Sequence, residues 1–449
     1  MNNVIPAIAG TNEKIEQIKK EIAATREHGD TPSLVSLLKN LGQVYLEEGD
    51  APQALSEFNE AIKIVYESEY KEILAQLLGL RGMALKMLGN YSLAMQAFRK
   101  SNAVAKGIKH SALICDSYIQ IASIHSEMGR DDEVLNTLNK ALAIATENKD
   151  KVRKMRVYGL LGDNYMKREI PVKAAEYFRQ ACETAQDIGN RGGECSFITK
   201  LGNAYLFEEK VEPAIEKYER ALTLASALED RNAEINILGG LFRAHAMDGN
   251  VNLAVKYGGQ VIHLARESQS PEAEISNITT FTAFLGENGK ISEAVPHLER
   301  GVQVADNQNS LELKLDMLTR LGLALYQDGK NDMAVETLNK AFVIAGNVSD
   351  EMTQMNVLGY LASIYADMGQ FENSINVATQ ALDFAEKLED QRIKAEQQIL
   401  LVFNHRDLDQ TDKAVQYCQA ALETYEKIED QEMTEKVQIL LKELETIAD

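Results

Sequence analysis

The chain has no tryptophan, only 7 prolines and 4 cysteines, and no run of 18 apolar residues in its 449 positions. Each shortage removes a class of structure. With so few prolines, and 28 glycines, there are too few breaks for an all-β or loop-rich fold, and long helices are expected. Cys115, Cys182, Cys195 and Cys418 are too scattered for a disulfide framework and form no C-x-x-C pair. No stretch can serve as a spanning helix, and Met1 to Gly10 lacks the basic flank and apolar length of a secretory leader, so a soluble cytoplasmic protein is expected. Basic residues are also short, 47 against 68 acidic for a net charge of −21. That field repels phosphate backbones and anionic lipid, which argues against nucleic-acid binding.

Catalytic signatures are missing too. There is no H-E-x-x-H, Walker loop, G-x-S-x-G or dinucleotide fingerprint. His125, His245 and His405 lie 80 or more residues apart, which predicts core rings with hydrogen-bond partners and no shared metal. No enzymatic activity, metal or cofactor is expected.

What is present is a period. At 449 residues the chain exceeds the about 250 to 300 that one core organises, so it needs several domains or a repeat. Leu41-Gly42, Leu161-Gly162, Leu201-Gly202 and Leu321-Gly322 are separated by multiples of 40. The same step from Ala54 meets Ala94, Val134, Ala174, Ala214, Ala254, Ala294, Ala334, Ser374 and Ala414, a column of small residues that predicts close helix approach. Leu38, Leu41 and Tyr45 form one stripe at helical spacing, and Ala54, Leu55, Phe58, Ala61 and Ile62 form a second. Between them stand Gly49, Gly89, Gly129, Gly249, Gly329 and Gly369, suited to the left-handed residue that closes a helix. Each repeat therefore reads as helix, tight turn, helix. Gly189, Gly192 and Gly193, which look like a phosphate loop, fall in a connection between repeats.

Leu201, Gly202 and Tyr205, followed by Ala214, Tyr218 and Ala221, resemble the tetratricopeptide family. Two features differ from its common form: the period is 40 instead of 34, and the helix-ending proline is replaced by Tyr66, Lys106, Thr146 and Gln186. The longer repeat resembles those of kinesin light chains, Pins-type polarity adaptors and bacterial regulatory arrays. The resemblance implies an all-α, right-handed α-solenoid of about ten helix-turn-helix repeats over 31–430, after a flexible 1–10 and a capping helix over 11–30 with Thr11 as N-cap, and before a polar capping helix over 431–449. It also implies that one face of each first helix lines a concave groove that binds extended or helical peptides.

On that face a column of polar residues recurs: Ser36, Gln76, Asp116, Arg156, Ser196, Asn236, Ser276, Asp316, Asn356 and Glu396. Beside it stand Lys39, Thr199, Thr279 and Thr319, then Gln43, Asp163, Asn203, Arg243 and Ser363. Glycine and threonine are more frequent there than an ordinary exposed helix face would carry, and the mixed charge suits a mixed-charge ligand better than a polybasic one. The Pins-type pairing of arginine with asparagine seven residues later is absent: Arg156 is followed by Asp163, and Asn203 is preceded by Ser196. The expected function is a non-catalytic scaffold or adaptor for a protein or peptide partner. The alternatives are a ligand-sensing regulator that changes superhelical pitch, disfavoured by the short segment before the repeats, and a self-assembling array, disfavoured by the polar end helices.

The pattern is least regular in the sixth and seventh repeats, the seventh carrying Gly286 and Gly301. Phe242 stands in the column of Gly42, and Gly258 and Gly259 fall inside a second helix, Gly258 in the column of Phe58. Either volume is compensated between the two columns, or the segment is a flexible joint.

Overall fold

The computed structural model describes residues 5–268 and 270–448, with side chains over 13–268 and 270–446. It divides into two compact units, Met1–Asp248 and Gly249–Asp449. The first contains α1 (Ile5–His28), α2 (Thr31–Glu47), α3 (Ala51–Val65), α4 (Lys71–Met87), α5 (Tyr91–Gly107), α6 (Ser111–Glu127), α7 (Asp131–Glu147), α8 (Lys151–Lys167), α9 (Pro171–Asp187), α10 (Arg191–Phe207), α11 (Val211–Ala227) and α12 (Arg231–Met247). The second contains α13 (Val251–Glu267), α14 (Pro271–Glu287), α15 (Ile291–Asn307), α16 (Leu311–Gln327), α17 (Asn331–Asn347), α18 (Glu351–Asp367), α19 (Phe371–Lys387), α20 (Gln391–Asp407), α21 (Thr411–Lys427) and α22 (Gln431–Ala448). Every described residue lies in a helix or a short connection, so the fold is an all-α solenoid.

The helices are set by their ends. Asp30, Asp50, Asp150, Asp230, Asp350 and Asp390 each stand at an N-cap and accept a backbone N–H three residues on. At Asp350 the hydroxyl and N–H of Thr353 hold the carboxyl below its usual range. One left-handed residue then closes most of the helices, α3 being an exception. It is glycine at Gly49, Gly89, Gly129, Gly329 and Gly369, but it is charged at Lys109, Lys149, Glu169, Glu209, Glu229 and Glu389. The glycines visible in the sequence are thus only part of the set of closing residues. The other closures tolerate the conformation because backbone bonds such as Ile170 N–H to the Tyr165 carbonyl, 2.9 Å, hold the turn.

At the N-terminal end the expectation needs correcting. α1 begins at Ile5, so Thr11 lies inside the helix and 5–10 are helical, while 1–4 lie outside the described residues. Pro6 falls in the first turn, where its missing N–H costs no hydrogen bond.

Within each unit every helix packs on its neighbours in sequence, and first helices also meet across repeats: α2 with α4, α4 with α6, α6 with α8 and α10 with α12 in the first, and α16 with α18 and α18 with α20 in the second. Within each unit the first helices are therefore the inner layer. The small-residue column is buried throughout, from Ala54 to Ala414, and Ser374 there donates its hydroxyl to the Ala362 carbonyl at 2.7 Å. Rings from the second helices fill the space over the glycines of the first; a Cβ on Gly82 would stand 2.6 Å from Cε1 of Phe98.

The irregular sixth repeat spans the division between the units. Phe242 is buried in the first, and Gly258 lies buried within the continuous helix α13 of the second.

Candidate partner-binding groove

The anticipated face is assembled from α2, α4, α6, α8, α10 and α12 in the first unit and α14, α16, α18 and α20 in the second. Its side chains are exposed or half-buried at every one of the anticipated positions. In the first unit they are drawn together around a run of hollows between successive first helices. A cavity of about 450 Å³ is lined by Lys39, Gln43, Gln76, Asp116 and Arg156. The next, about 470 Å³, shares Arg156 and adds Lys86, Asp163 and Asn164. A third, about 390 Å³, joins Asp116, Arg156 and Asp163 to Ser196. A fourth, about 540 Å³, sets Asn203 and Arg243 beside Met166, Phe207 and Met247. Ser36, Thr199 and Asn236 lie on the same helices but line none of these four.

Polar rungs 37 residues apart tie these helices together. Lys39 donates to Gln76 at 3.1 Å and Lys86 to Ser123 at 2.5 Å. Arg153 grips Asp116 through two bonds of 2.9 and 2.7 Å, and Lys200 reaches both carboxylate oxygens of Asp163 at 2.7 Å. The Asp116 carboxylate raises the Arg153 guanidinium further above its ordinary value. Arg153, Lys200 and Asn164 were not anticipated. The first two were signalled by opposite charges recurring at one spacing, and Asn164 by an amide in a column that reads Val44, Ala84, Ile124, Ala204 and Ala244 in the other repeats of the first unit.

In the second unit the anticipated residues bond within their own helices instead. Asp316 pairs with Arg320 at 2.9 Å and Glu396 with Arg392 at 3.2 Å. Thr319 and Ser363 donate back to the carbonyls of Leu315 and Gly359, as Thr199 does to Cys195 in the first unit. Ser276 and Thr279 stand on α14 and Asn356 on α18. Part of the glycine and threonine excess is therefore intrahelical bonding and packing. Gly159 makes room for Phe197, since a Cβ there would stand 2.5 Å from Cε1, whereas Gly239 has open space above it.

All four cysteines are free and buried, and burial pushes the Cys115 thiol up to about 11. His405 Nδ1 meets Gln410 Oε1 at 2.9 Å, as expected of a core ring, but His125 Nδ1 is buried with no hydrogen-bond partner, contrary to expectation. Among the described residues no group of three His, Cys, Asp or Glu side chains could hold a metal, and no helix is long and apolar enough to cross a membrane.

Comparison with known proteins bears on this architecture. A family model described as the tetratricopeptide repeat matches residues 33–106, the stretch that holds the first repeat and most of the second. That stretch reads as tetratricopeptide repeats, and the same helix pair recurs along the chain. Other stretches of the chain match models described as the rapsyn N-terminal myristoylation and linker region, over 317–392, and anaphase-promoting complex subunit 5, over 109–154. The fold is similar to that of apo RapI, with a TM-score of 0.55 at 13% identity, covering 84% of this chain and 98% of that one. BtubC (BKLC) from P. vanneervenii aligns with 50% of this chain and 91% of its own at 18% identity and a TM-score of 0.43. A Rap protein complexed with competence and sporulation factor aligns with 80% of this chain and 99% of its own at 14% identity and a TM-score of 0.43. No curated protein sequence matches the chain.

Proposed function

We propose that this tetratricopeptide array is a non-catalytic protein-binding scaffold whose first-helix groove holds a segment of a partner. The observation that supports this most directly is the run of four hollows along α2 to α12, lined by polar side chains together with apolar ones such as Met166, Phe207 and Met247. Such hollows, each of about 390 to 540 Å³ and open on one side, suit successive side chains of a bound segment.

Blocking the groove without disturbing the fold tests this reading. Gly239 faces the groove with nothing within 4 Å of a Cβ, so Gly239→Tyr adds bulk there and removes a glycine from a helix. Glu219→Tyr, exposed on α11, places the same bulk on the outer layer. Partner capture from native lysate is expected to fall at least tenfold, about 1.4 kcal/mol, for Gly239→Tyr and to persist for Glu219→Tyr. Equal capture by both variants and the unaltered chain would move the binding surface off the groove.

A further inference from the structure

The charges of the groove are not balanced within the protein. On the groove columns the acids are Asp116, Asp163, Asp316 and Glu396, and each has a cation at hydrogen-bond distance: Arg153, Lys200, Arg320 and Arg392. The cations fare differently. Arg406 pairs with Asp407 at 3.0 Å and Lys86 lies 3.6 Å from Glu127. Lys39 has only the neutral amide of Gln76, Arg243 only the carbonyl of Gly239 at 3.4 Å, and Arg156 has no hydrogen bond or ion pair among the described residues. Every uncompensated charge on this face is positive, and all three lie in the first unit, in a chain whose net charge is −21.

A second observation falls in the same place. Asn164 lines the 470 Å³ cavity with Arg156, is only 5% exposed, and has neither amide atom hydrogen-bonded. Leaving such a group buried and unpaired costs the protein its desolvation without return. The protein also shows what a satisfied version looks like. Asn404 holds the equivalent position six repeats later and donates to the Ser374 hydroxyl at 2.7 Å. The residue equivalent to Ser374 beside Asn164 is Val134, which lines the same cavity and offers no polar atom. Asn164 is thus held without a partner beside a cavity into which its amide can turn.

Building on the groove reading, we infer that the partner segment is extended and acidic, with a carboxylate seated on Arg156 and the adjacent backbone paired with the Asn164 amide. A guanidinium presents a planar fork that matches a carboxylate. An amide with a free donor and a free acceptor matches the N–H and C=O that one residue of an extended chain shows on the same side. A helical ligand has already used those groups internally. Farther along, Arg243 beside the apolar hollow of Met166, Phe207 and Met247 takes a second carboxylate next to an apolar side chain.

The test is selection from a degenerate library of 12-residue peptides by the full-length protein, followed by affinity measurement on the selected sequences. Asp or Glu is expected to be enriched although the net charge of the protein disfavours it, and replacing the enriched acid by Asn or Gln should weaken binding at least tenfold. Arg156→Gln should abolish the enrichment at one peptide position. Asn164→Leu should weaken the same peptides at least tenfold while melting no lower than the unaltered chain, because it removes an unpaired group; a purely structural asparagine would instead lower the melting temperature. Val134→Ser, which supplies the hydroxyl that Asn404 enjoys, should also weaken binding. Selected peptides that are neutral or basic, yet lost in Gly239→Tyr, would overturn this inference and leave the groove reading standing. No selection that depends on the groove would overturn both.

Discussion

Tyr218 on α11 lies between two glycines of the first-helix layer, Gly202 on α10 and Gly240 on α12; Cβ atoms there would stand 2.8 and 2.6 Å from its Cε1. Its hydroxyl donates to Asn203 Oδ1 at 2.7 Å, which orients a groove amide from behind. Burial pushes the phenol up to about 12, so it stays a donor throughout the ordinary pH range.

Gly240→Ala should therefore destabilise the first unit by about 1 to 3 kcal/mol, since a full ring must shift in a packed layer. Urea unfolding checks it, and the double variant with Tyr218→Leu should lose less than the sum of the two single changes. Strict additivity would show that ring and glycine do not contend for the same space.

The left-handed closures give a pair of opposite outcomes. Glu169 sits at φ +56 and Gly329 at φ +76. Glu169→Gly should gain up to about 1 kcal/mol, and Gly329→Ala should lose about 1 to 2 kcal/mol. Thermal unfolding of both variants against the unaltered chain decides whether the connections are closed as described.

In α13, Gly259 lies mid-helix with nothing within 4 Å of a Cβ. Gly259→Ala should stabilise by about 0.5 to 1 kcal/mol and slow amide exchange over 256–260. If exchange there already matches that of α9 and α11 in the unaltered chain, the flexible-joint expectation fails and only the packing account of this repeat remains.

His297 provides a pH dependence. Burial, and then the positive charge of Arg266, lower its pKa, and its ring lies edge-on to Phe281 with centroids 5.3 Å apart. The unfolded imidazole, near pH 6.5, therefore takes its proton first as the solution is acidified. The contribution to stability is complete above that pH and is lost as pH falls below it toward the lower folded value. The melting temperature should decline from pH 7.5 to 5.5, and less steeply in His297→Gln. An unchanged slope would mean that the ring is solvated in the folded state.

At the C-terminal end, Val437 and Leu444 of α22 cover Cys418 and Tyr425 of α21, and burial pushes the Cys418 thiol up to about 11. Deleting 429–449 should promote aggregation and make this thiol reactive toward a disulfide reagent under native conditions, while Cys115 stays inert. A monomeric truncation with an unreactive Cys418 would show that α22 does not act as a cap.

The repeat length, the alternation of first and second helices and the buried columns were all determined by the sequence itself, because an amphipathic stripe at spacing three and four and a small residue once per repeat leave few other ways to bury the apolar surface. The exposed polar face of the first helices was legible for the same reason, as the complement of Leu38, Leu41 and Tyr45. Pairing was not. Asp116 and Asp316 occupy one column, yet the first is gripped by Arg153 of the neighbouring repeat and the second by Arg320 of its own helix. Asn164 and Asn404 likewise share a column, and only the second has a hydroxyl to meet. A period counts positions along one helix, whereas these bonds depend on which side chain of an adjacent helix arrives within about 3 Å. Only the tertiary structure decided which charges of the groove were spent inside the protein and which were left over.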